Sequence, residues 1–176
     1  MIAILLNDAS FEQDIRELLM AFYPGETFTH KEEEAGEAEL IVRGVRDGNS
    51  FSLDVTPVKK EAVHFALIYP DFSNRFETKN EIKQTLYRLL SVQTGRELPW
   101  GTLTGIRPTK IALTKLYDGW TDEQIETYMR ETYFTSKEKI DLSIDVAERE
   151  RRLLSTIDYE NGYSLYVGIP FCPTTC

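Results

Sequence analysis

Two cysteines close together constrain this chain more than any other feature of its sequence. An apolar, β-prone run over residues 165–171 leads into them, and Cys172 and Cys176, spaced as CxxxC, are the only cysteines among 176 residues. Thiolates are the soft ligands that iron–sulfur clusters and zinc prefer. Because two thiolates alone do not hold a stable cluster, at least one more ligand is expected beyond residue 176. We therefore expect an N-terminal part of a longer enzyme, ending inside a metal-binding loop.

The residues before the cysteines narrow the kind of metal site. A CxxxC pair by itself also fits two ordinary thiols or half of a zinc site. Residues 166–176, however, read Y-V-G-I-P-F-C-x-x-x-C, which resembles the cluster loop of radical S-adenosylmethionine (radical SAM) enzymes, with the motif CxxxCxxC. The tyrosine and the Ile-Pro-Phe are similar to the oxygen-independent coproporphyrinogen III oxidase-like branch. On this pattern Cys172 and Cys176 are the first two ligands, and Tyr166 matches the tyrosine beside S-adenosylmethionine.

The resemblance implies a cofactor set and a reaction. Three cysteines leave one iron of a [4Fe–4S] cluster open to S-adenosyl-L-methionine, and an electron donor supplies the electron that cleaves the sulfonium. In the oxidase branch the radical so formed takes a hydrogen atom from a propionate of coproporphyrinogen III, and loss of carbon dioxide leaves a vinyl group. Gly168 stands where these oxidases usually carry histidine. Since similar loops occur in haem chaperones, a relative of that kind is an alternative.

A second segment, residues 98–110, has the sequence L-P-W-G-T-L-T-G-I-R-P-T-K and neither a helical nor a strand period. Pro108 suits the first turn of a following helix. Free N–H groups at that helix start, near Arg107 and Lys110, fit an anion site. An equally weighted alternative is a loop buried by Trp100, with Arg107 capping a neighbouring carbonyl or pairing a glutamate. Residues 100–110 also resemble a segment that precedes the radical SAM domain in HemZ-type coproporphyrinogen dehydrogenases.

Hydrophobic patterning predicts three regions. Residues 1–97 are expected to form an α+β accessory domain with one small sheet and two helices, and residues 98–160 a helical linker. Residues 161–176 are expected to be the start of a radical SAM α/β barrel, with its first strand at residues 165–169. The predicted strands cover 1–6, 26–30, 39–46 and 50–56, the last two joined as a hairpin, whereas 61–69 fits a strand or a short helix. The predicted helices cover 11–22, 79–94, 109–117, 122–131 and 136–157, with capping boxes starting at Ser10, Thr78, Thr121 and Thr135.

Charge and composition limit the partners. The formal net charge of −9 argues against a general nucleic-acid binder. Residues 72–117 nevertheless hold eight basic and three acidic side chains, a local +5 that fits a solvated helix face or an accessory RNA-binding surface. No apolar run is long enough to span a membrane, and two cysteines without a disulfide framework suggest a reducing, cytoplasmic compartment. The oligomeric state is not indicated.

Overall fold

A computed structural model describes residues 1–58, 63–105, 107–158, 161–163 and 165–168. Five strands precede the last three helices. The strands are β1 (Ile2–Leu6), β2 (Phe28–Thr29), β3 (Leu40–Asp47), β4 (Ser50–Pro57) and β5 (His64–Ile68). The α-helices are α1 (Glu12–Phe22), α2 (Arg75–Thr94), α3 (Thr109–Tyr117), α4 (Asp122–Tyr133) and α5 (Lys137–Leu154), and 3-10 turns cover Ala9–Phe11 and Glu32–Glu37.

The five strands form one mixed sheet in the order β2-β1-β3-β4-β5. Strand β1 runs parallel to β2 and β3, whereas β3–β4 and β4–β5 are antiparallel pairs. The hairpin predicted around residues 47–49 is confirmed. The ambiguous segment 61–69 contains strand β5, in which Phe65 and Leu67 are exposed while the residues between them are less so. This alternation has the two-residue period of a strand.

The sheet packs one face against α1 and α2, which confirms the predicted α+β architecture. The apolar stripe predicted for the first helix is fully buried, and so is the predicted inner face of the hairpin. The buried residues of these two surfaces are Ile15, Leu18, Leu19, Phe22, Leu40, Val42, Phe51, Leu53 and Val55. Side chains from α2 complete this first core, and Leu86 and Leu90 are inaccessible to solvent.

Helices α3, α4 and α5 enclose a second core. Its centre is formed by Ala112, Ile125, Met129, Ile140 and Ala147, all inaccessible to solvent. Helix α4 also contacts α2, so the helical unit lies against the first. The domain boundaries at residues 97 and 160 stay a prediction.

Two of the predicted helix starts are wrong. The first helix begins at Glu12, after a 3-10 turn in which Asp8, not Ser10, accepts the capping hydrogen bond. Helix α2 begins at Arg75, and Asn74 caps it by accepting from the Glu77 N–H. The hydroxyl of Thr78 donates instead to the carbonyl of Asp71 inside the fold. Asn, Asp, Ser and Thr are all good capping residues. Where burial of the preceding turn favours an earlier helix start, a neighbouring polar residue therefore becomes the cap.

The two later caps show the same competition. The Thr121–Gln124 capping box is present as predicted, with both reciprocal hydrogen bonds. Helix α5, however, is capped by Ser136, whose side chain accepts from the Lys139 N–H, and not by Thr135. Thr135 is buried, so its side chain lies on the packed side of the chain.

The strand expected at residues 165–169 is not present in residues 165–168, which have no regular secondary structure. A strand needs a neighbour to pair its N–H and C=O groups, and none of the five described strands pairs with this segment. Residues 169–176 lie outside the described residues. No helix in the described part of the chain is long and apolar enough to cross a membrane.

Candidate functional site

The predicted cluster loop is described only at its start. The side chain of Tyr166 is 93% exposed. Cys172 and Cys176 lie outside the described residues, so their assignment as metal ligands stays a prediction. Within the described ranges, no three His, Cys, Asp or Glu side chains come together as a group able to hold a metal ion.

The segment that follows α2 is fixed against the end of α4 by backbone contacts. The N–H of Thr102 donates to the carbonyl of Tyr133 at 2.7 Å, and the N–H of Ser136 donates to the carbonyl of Pro99 at 2.9 Å. Gly101 has a φ of +58°, and a Cβ placed on it would lie 1.9 Å from the carbonyl oxygen of Tyr133. Only glycine fits such a close approach in a left-handed conformation.

A buried hydrogen-bonded chain joins this segment to the first core. The ammonium of Lys83 on α2 donates to the Thr104 hydroxyl at 2.8 Å, and this hydroxyl donates to Glu17 Oε2 on α1 at 2.9 Å. Lys83 is only 8% exposed, and burial lowers the pKa of Lys83, with nearby carboxylates in partial opposition. Burial alone would raise the pKa of Glu17, but hydrogen bonds from Gln13 and Thr104 and nearby lysines outweigh it and lower that pKa.

The sequence interpretation missed this chain. Lys83 was counted only as part of the positive segment 72–117. A signal was nevertheless present, because Lys83 shares a helical face with Leu86 and Leu90 at the i+3 and i+7 positions. A lysine on a core-facing stripe requires a polar partner, since a buried charge without one is costly.

Arg107 is paired with a carboxylate, which agrees with the second of the two interpretations of residues 98–110. It has a positive φ of 66°, and its guanidinium forms an ion pair with Glu150 on α5. Pro108 stands directly before α3, as predicted from its fixed φ. Trp100 is half-buried. Through these contacts the segment connects helices. Lys110, in the first turn of α3, is exposed.

A cavity of about 420 Å³ lies where this segment meets α3 and α4. We call it the α3–α4 cleft. Leu103, Ile111, Tyr128 and Tyr133 give it apolar and aromatic walls, and its other lining residues are Phe76, Gly105, Arg107, Pro108, Lys110, Thr114 and Lys115. The lining contains three cationic side chains and no carboxylate.

Aromatic contacts fix one wall of the cleft. The Lys115 ammonium lies 4.1 Å from the ring centroid of Trp120 and 4.8 Å from that of Tyr128. The Tyr128 and Tyr133 hydroxyls are 3.4 Å apart. Burial, together with this contact, raises the pKa of Tyr133, so its hydroxyl keeps its proton at neutral pH.

Most cations of residues 72–117 serve internal contacts. Seven of the eight contact described groups, and only the Lys110 side chain has no hydrogen bond, ion pair or ring contact with another described residue. The seven are Arg75, Lys79, Lys83, Arg88, Arg96, Arg107 and Lys115. This pattern favours the structural interpretation of the segment over an RNA-binding surface.

Comparison with known proteins identifies the class to which the chain is related. No protein-family model and no solved structure matches it. A curated relative is 34% identical over 125 residues, which make up 69% of this chain and 25% of the relative. The chain is therefore HemZ-like, as the resemblance of its sequence predicted.

The relative is the "Oxygen-independent coproporphyrinogen-III oxidase-like protein HemZ" of Bacillus subtilis (strain 168). The aligned stretch spans a quarter of that protein's length.

Proposed function

We propose that this chain is part of a radical SAM oxidoreductase that converts propionate groups of coproporphyrinogen III to vinyl groups by oxidative decarboxylation, in haem biosynthesis. The observation that carries the proposal is the 34% identity to the HemZ protein over 69% of the chain. That relationship makes the CxxxC loop, in its Y-V-G-I-P-F context, a stronger indicator than the cysteine spacing alone.

The donor chemistry of the loop fits the cofactor. Cys172 and Cys176 would hold two irons of a [4Fe–4S] cluster as thiolates, and a third cysteine is expected three residues after Cys176. When bound, the cluster supplies the electron that cleaves S-adenosylmethionine. Tyr166 would lie beside S-adenosylmethionine, as the resemblance of the loop implies. The protein positions the cofactors, which carry the chemistry.

Residues 1–160 are proposed as an accessory region. Its two cores are joined by the partly buried Lys83–Thr104–Glu17 chain and by the backbone contacts around Gly101. Such a connection fixes the helical unit against the first core. We propose that this positions the start of the cluster loop.

The test is anaerobic reconstitution, with iron and sulfide, of a protein that carries this sequence and continues through the third cysteine. The reconstituted protein should be brown and contain about four irons and four sulfides per chain, as a [4Fe–4S] cluster requires. With S-adenosylmethionine and a strong reductant, it should release 5′-deoxyadenosine. Cys172→Ser and Cys176→Ser should each abolish the cluster, whereas Tyr166→Ala should keep it and slow cleavage. Failure of the wild-type protein to form a cluster would refute the proposal.

The substrate is tested separately with coproporphyrinogen III. Release of carbon dioxide and appearance of vinyl-bearing product are expected, and both should be absent from the Cys172→Ser variant. Cleavage of S-adenosylmethionine without any decarboxylation would keep the radical SAM class and exclude this substrate. A haem-chaperone-like relative would instead bind haem without consuming the porphyrinogen.

A further inference from the structure

The charge of the α3–α4 cleft is opposite to that of the protein. The chain has 29 acidic and 20 basic side chains, yet the described residues that line the cleft include Arg107, Lys110 and Lys115 and no carboxylate. Glu150 satisfies Arg107 from outside the lining. Lys110 and Lys115 have no carboxylate partner among the described residues, so this cavity selects against cations and favours an anion.

The walls of the α3–α4 cleft favour a ligand with an apolar body. Tyr128, Tyr133, Ile111 and Leu103 contribute apolar surface to the lining, and a volume of about 420 Å³ is within the usual range for a small-molecule site. Inorganic phosphate would leave these walls in contact with water. A ligand with a flat apolar ring system and carboxylates at its edge satisfies both the walls and the lysines.

The cleft also offers a neutral hydrogen-bond donor. The hydroxyls of Tyr128 and Tyr133, which both line the cleft, are 3.4 Å apart, and a phenol is protonated at neutral pH. A carboxylate in the cleft would therefore have both ammonium groups and phenol hydroxyls as possible hydrogen-bond donors. Such a lining favours a ligand that is both apolar and acidic.

We propose that the α3–α4 cleft is a binding site for one propionate-bearing edge of a tetrapyrrole, separate from the cysteine loop. The choice of a tetrapyrrole rests on the proposed function, whereas the requirement for an apolar carboxylate rests on the cleft alone. The rest of the macrocycle extends beyond the cavity towards solvent. The accessory region thereby holds substrate or product of the same protein.

The experiment is a titration of the 176-residue chain with coproporphyrin III, the stable oxidised form, followed by quenching of tryptophan fluorescence; of the two tryptophans, Trp120 has its ring centroid 5.6 Å from that of Tyr128 in the cleft. Lys110→Gln and Lys115→Gln should each weaken binding by roughly three- to tenfold, the net size of one hydrogen bond. Lys137→Gln, which removes the same charge from α5 outside the cleft, is the matched control and should leave the affinity unchanged. Circular dichroism verifies that each variant is folded.

Two further ligands distinguish the sources of the signal. The tetramethyl ester of coproporphyrin III has the same ring without its charges and should bind at least tenfold more weakly. Dodecanoate presents a carboxylate on a flexible chain and should compete poorly. Equal binding of the ester, equal competition by dodecanoate, or an equal loss in Lys137→Gln would each overturn the proposal.

This measurement is independent of cluster chemistry. Suppose that porphyrin binding is lost in Lys110→Gln and that the protein continued through the third cysteine forms no cluster. The cleft assignment would then stand, and the proposed function would be refuted. Decarboxylation by a protein whose cleft variants bind and turn over normally would refute the cleft assignment alone.

Discussion

Substituting Gly101 by alanine tests the close backbone contact between the 98–105 segment and the end of α4. A Cβ at this position would lie 1.9 Å from the Tyr133 carbonyl oxygen and 2.6 Å from the carbonyl carbon of Phe134. Both are backbone atoms, so no side-chain rotation relieves the overlap. The left-handed conformation costs alanine about 1–2 kcal/mol, and an overpacked contact about 1–3 kcal/mol. We expect a total loss of about 2–5 kcal/mol in the free energy of unfolding.

Gly95→Ala is the matched control. Gly95 has a similar φ of +67°, but nothing lies within 4 Å of the position that an alanine Cβ would take, so only the conformational cost of about 1–2 kcal/mol applies. Urea denaturation followed by circular dichroism gives both losses, and Trp100 provides a local fluorescence signal beside Gly101. Equal losses in the two variants would refute the close-contact argument, because the left-handed conformation alone would then account for both.

Three further predictions concern caps and charges. Ser136→Ala should lower stability by about 1 kcal/mol as a lost cap, whereas Thr135→Val should leave it unchanged or raise it, since the buried Thr135 hydroxyl has no described partner; urea titrations that rank the two in reverse would contradict the assignment. The lowered pKa of Lys83 means that the folded state holds its proton less tightly than the unfolded state, so stability relative to Lys83→Met should rise as pH increases towards 10.5; a flat difference would contradict it. Hydrogen bonds with Ser10 and Arg46 lower the pKa of Asp8 to about 2, so the stability that Asp8 adds should be present above pH 3.8 and lost towards pH 2, and thermal unfolding of Asp8→Asn should lack that part of the acid loss.

The alternating and helical patterns were sufficient to predict most of the fold. The hairpin residues Leu40, Val42, Phe51, Leu53 and Val55 all face the core as their two-residue period required. Patterns of this kind succeed because burial of one face decides both the element and its register. The parallel pairing of β1 with β2 and β3 is set by contacts between distant residues, which a local pattern does not contain.

Helix starts were the weaker part of the prediction. At Ser10, Thr78 and Thr135 the sequence offers a hydroxyl in a capping-box pattern, yet Asp8, Asn74 and Ser136 accept the capping hydrogen bonds. Several good caps within a few residues differ by less energy than the packing of the turn, so tertiary contacts decide among them. Thr121 was predicted correctly because the reciprocal hydrogen bonds with Gln124 fix that start locally.

The two candidate sites also differ in whether the sequence predicted them. Residues 166–176 were found through their resemblance to a known loop, and the assignment of Tyr166, Cys172 and Cys176 stays a prediction. The α3–α4 cleft was not predicted, because Leu103, Lys115 and Tyr128 come from three separate segments and share no sequence period. Only Arg107 and Lys110 were singled out beforehand, as neighbours of a helix start.

The Lys83–Thr104–Glu17 chain also has a consequence for synthesis on the ribosome. Glu17 and Thr104 are 87 residues apart, so α1 leaves the exit tunnel well before its hydroxyl partner is translated. Until then the Lys83 ammonium has the Asp14 and Glu17 carboxylates of α1 nearby but lacks the Thr104 hydroxyl that joins it to Glu17. The nascent first core is therefore less stable than the same residues in the finished chain, and arrival of the 98–105 segment completes it. Translation pauses after α2 would extend the period in which this incomplete core is exposed to chaperones and proteases.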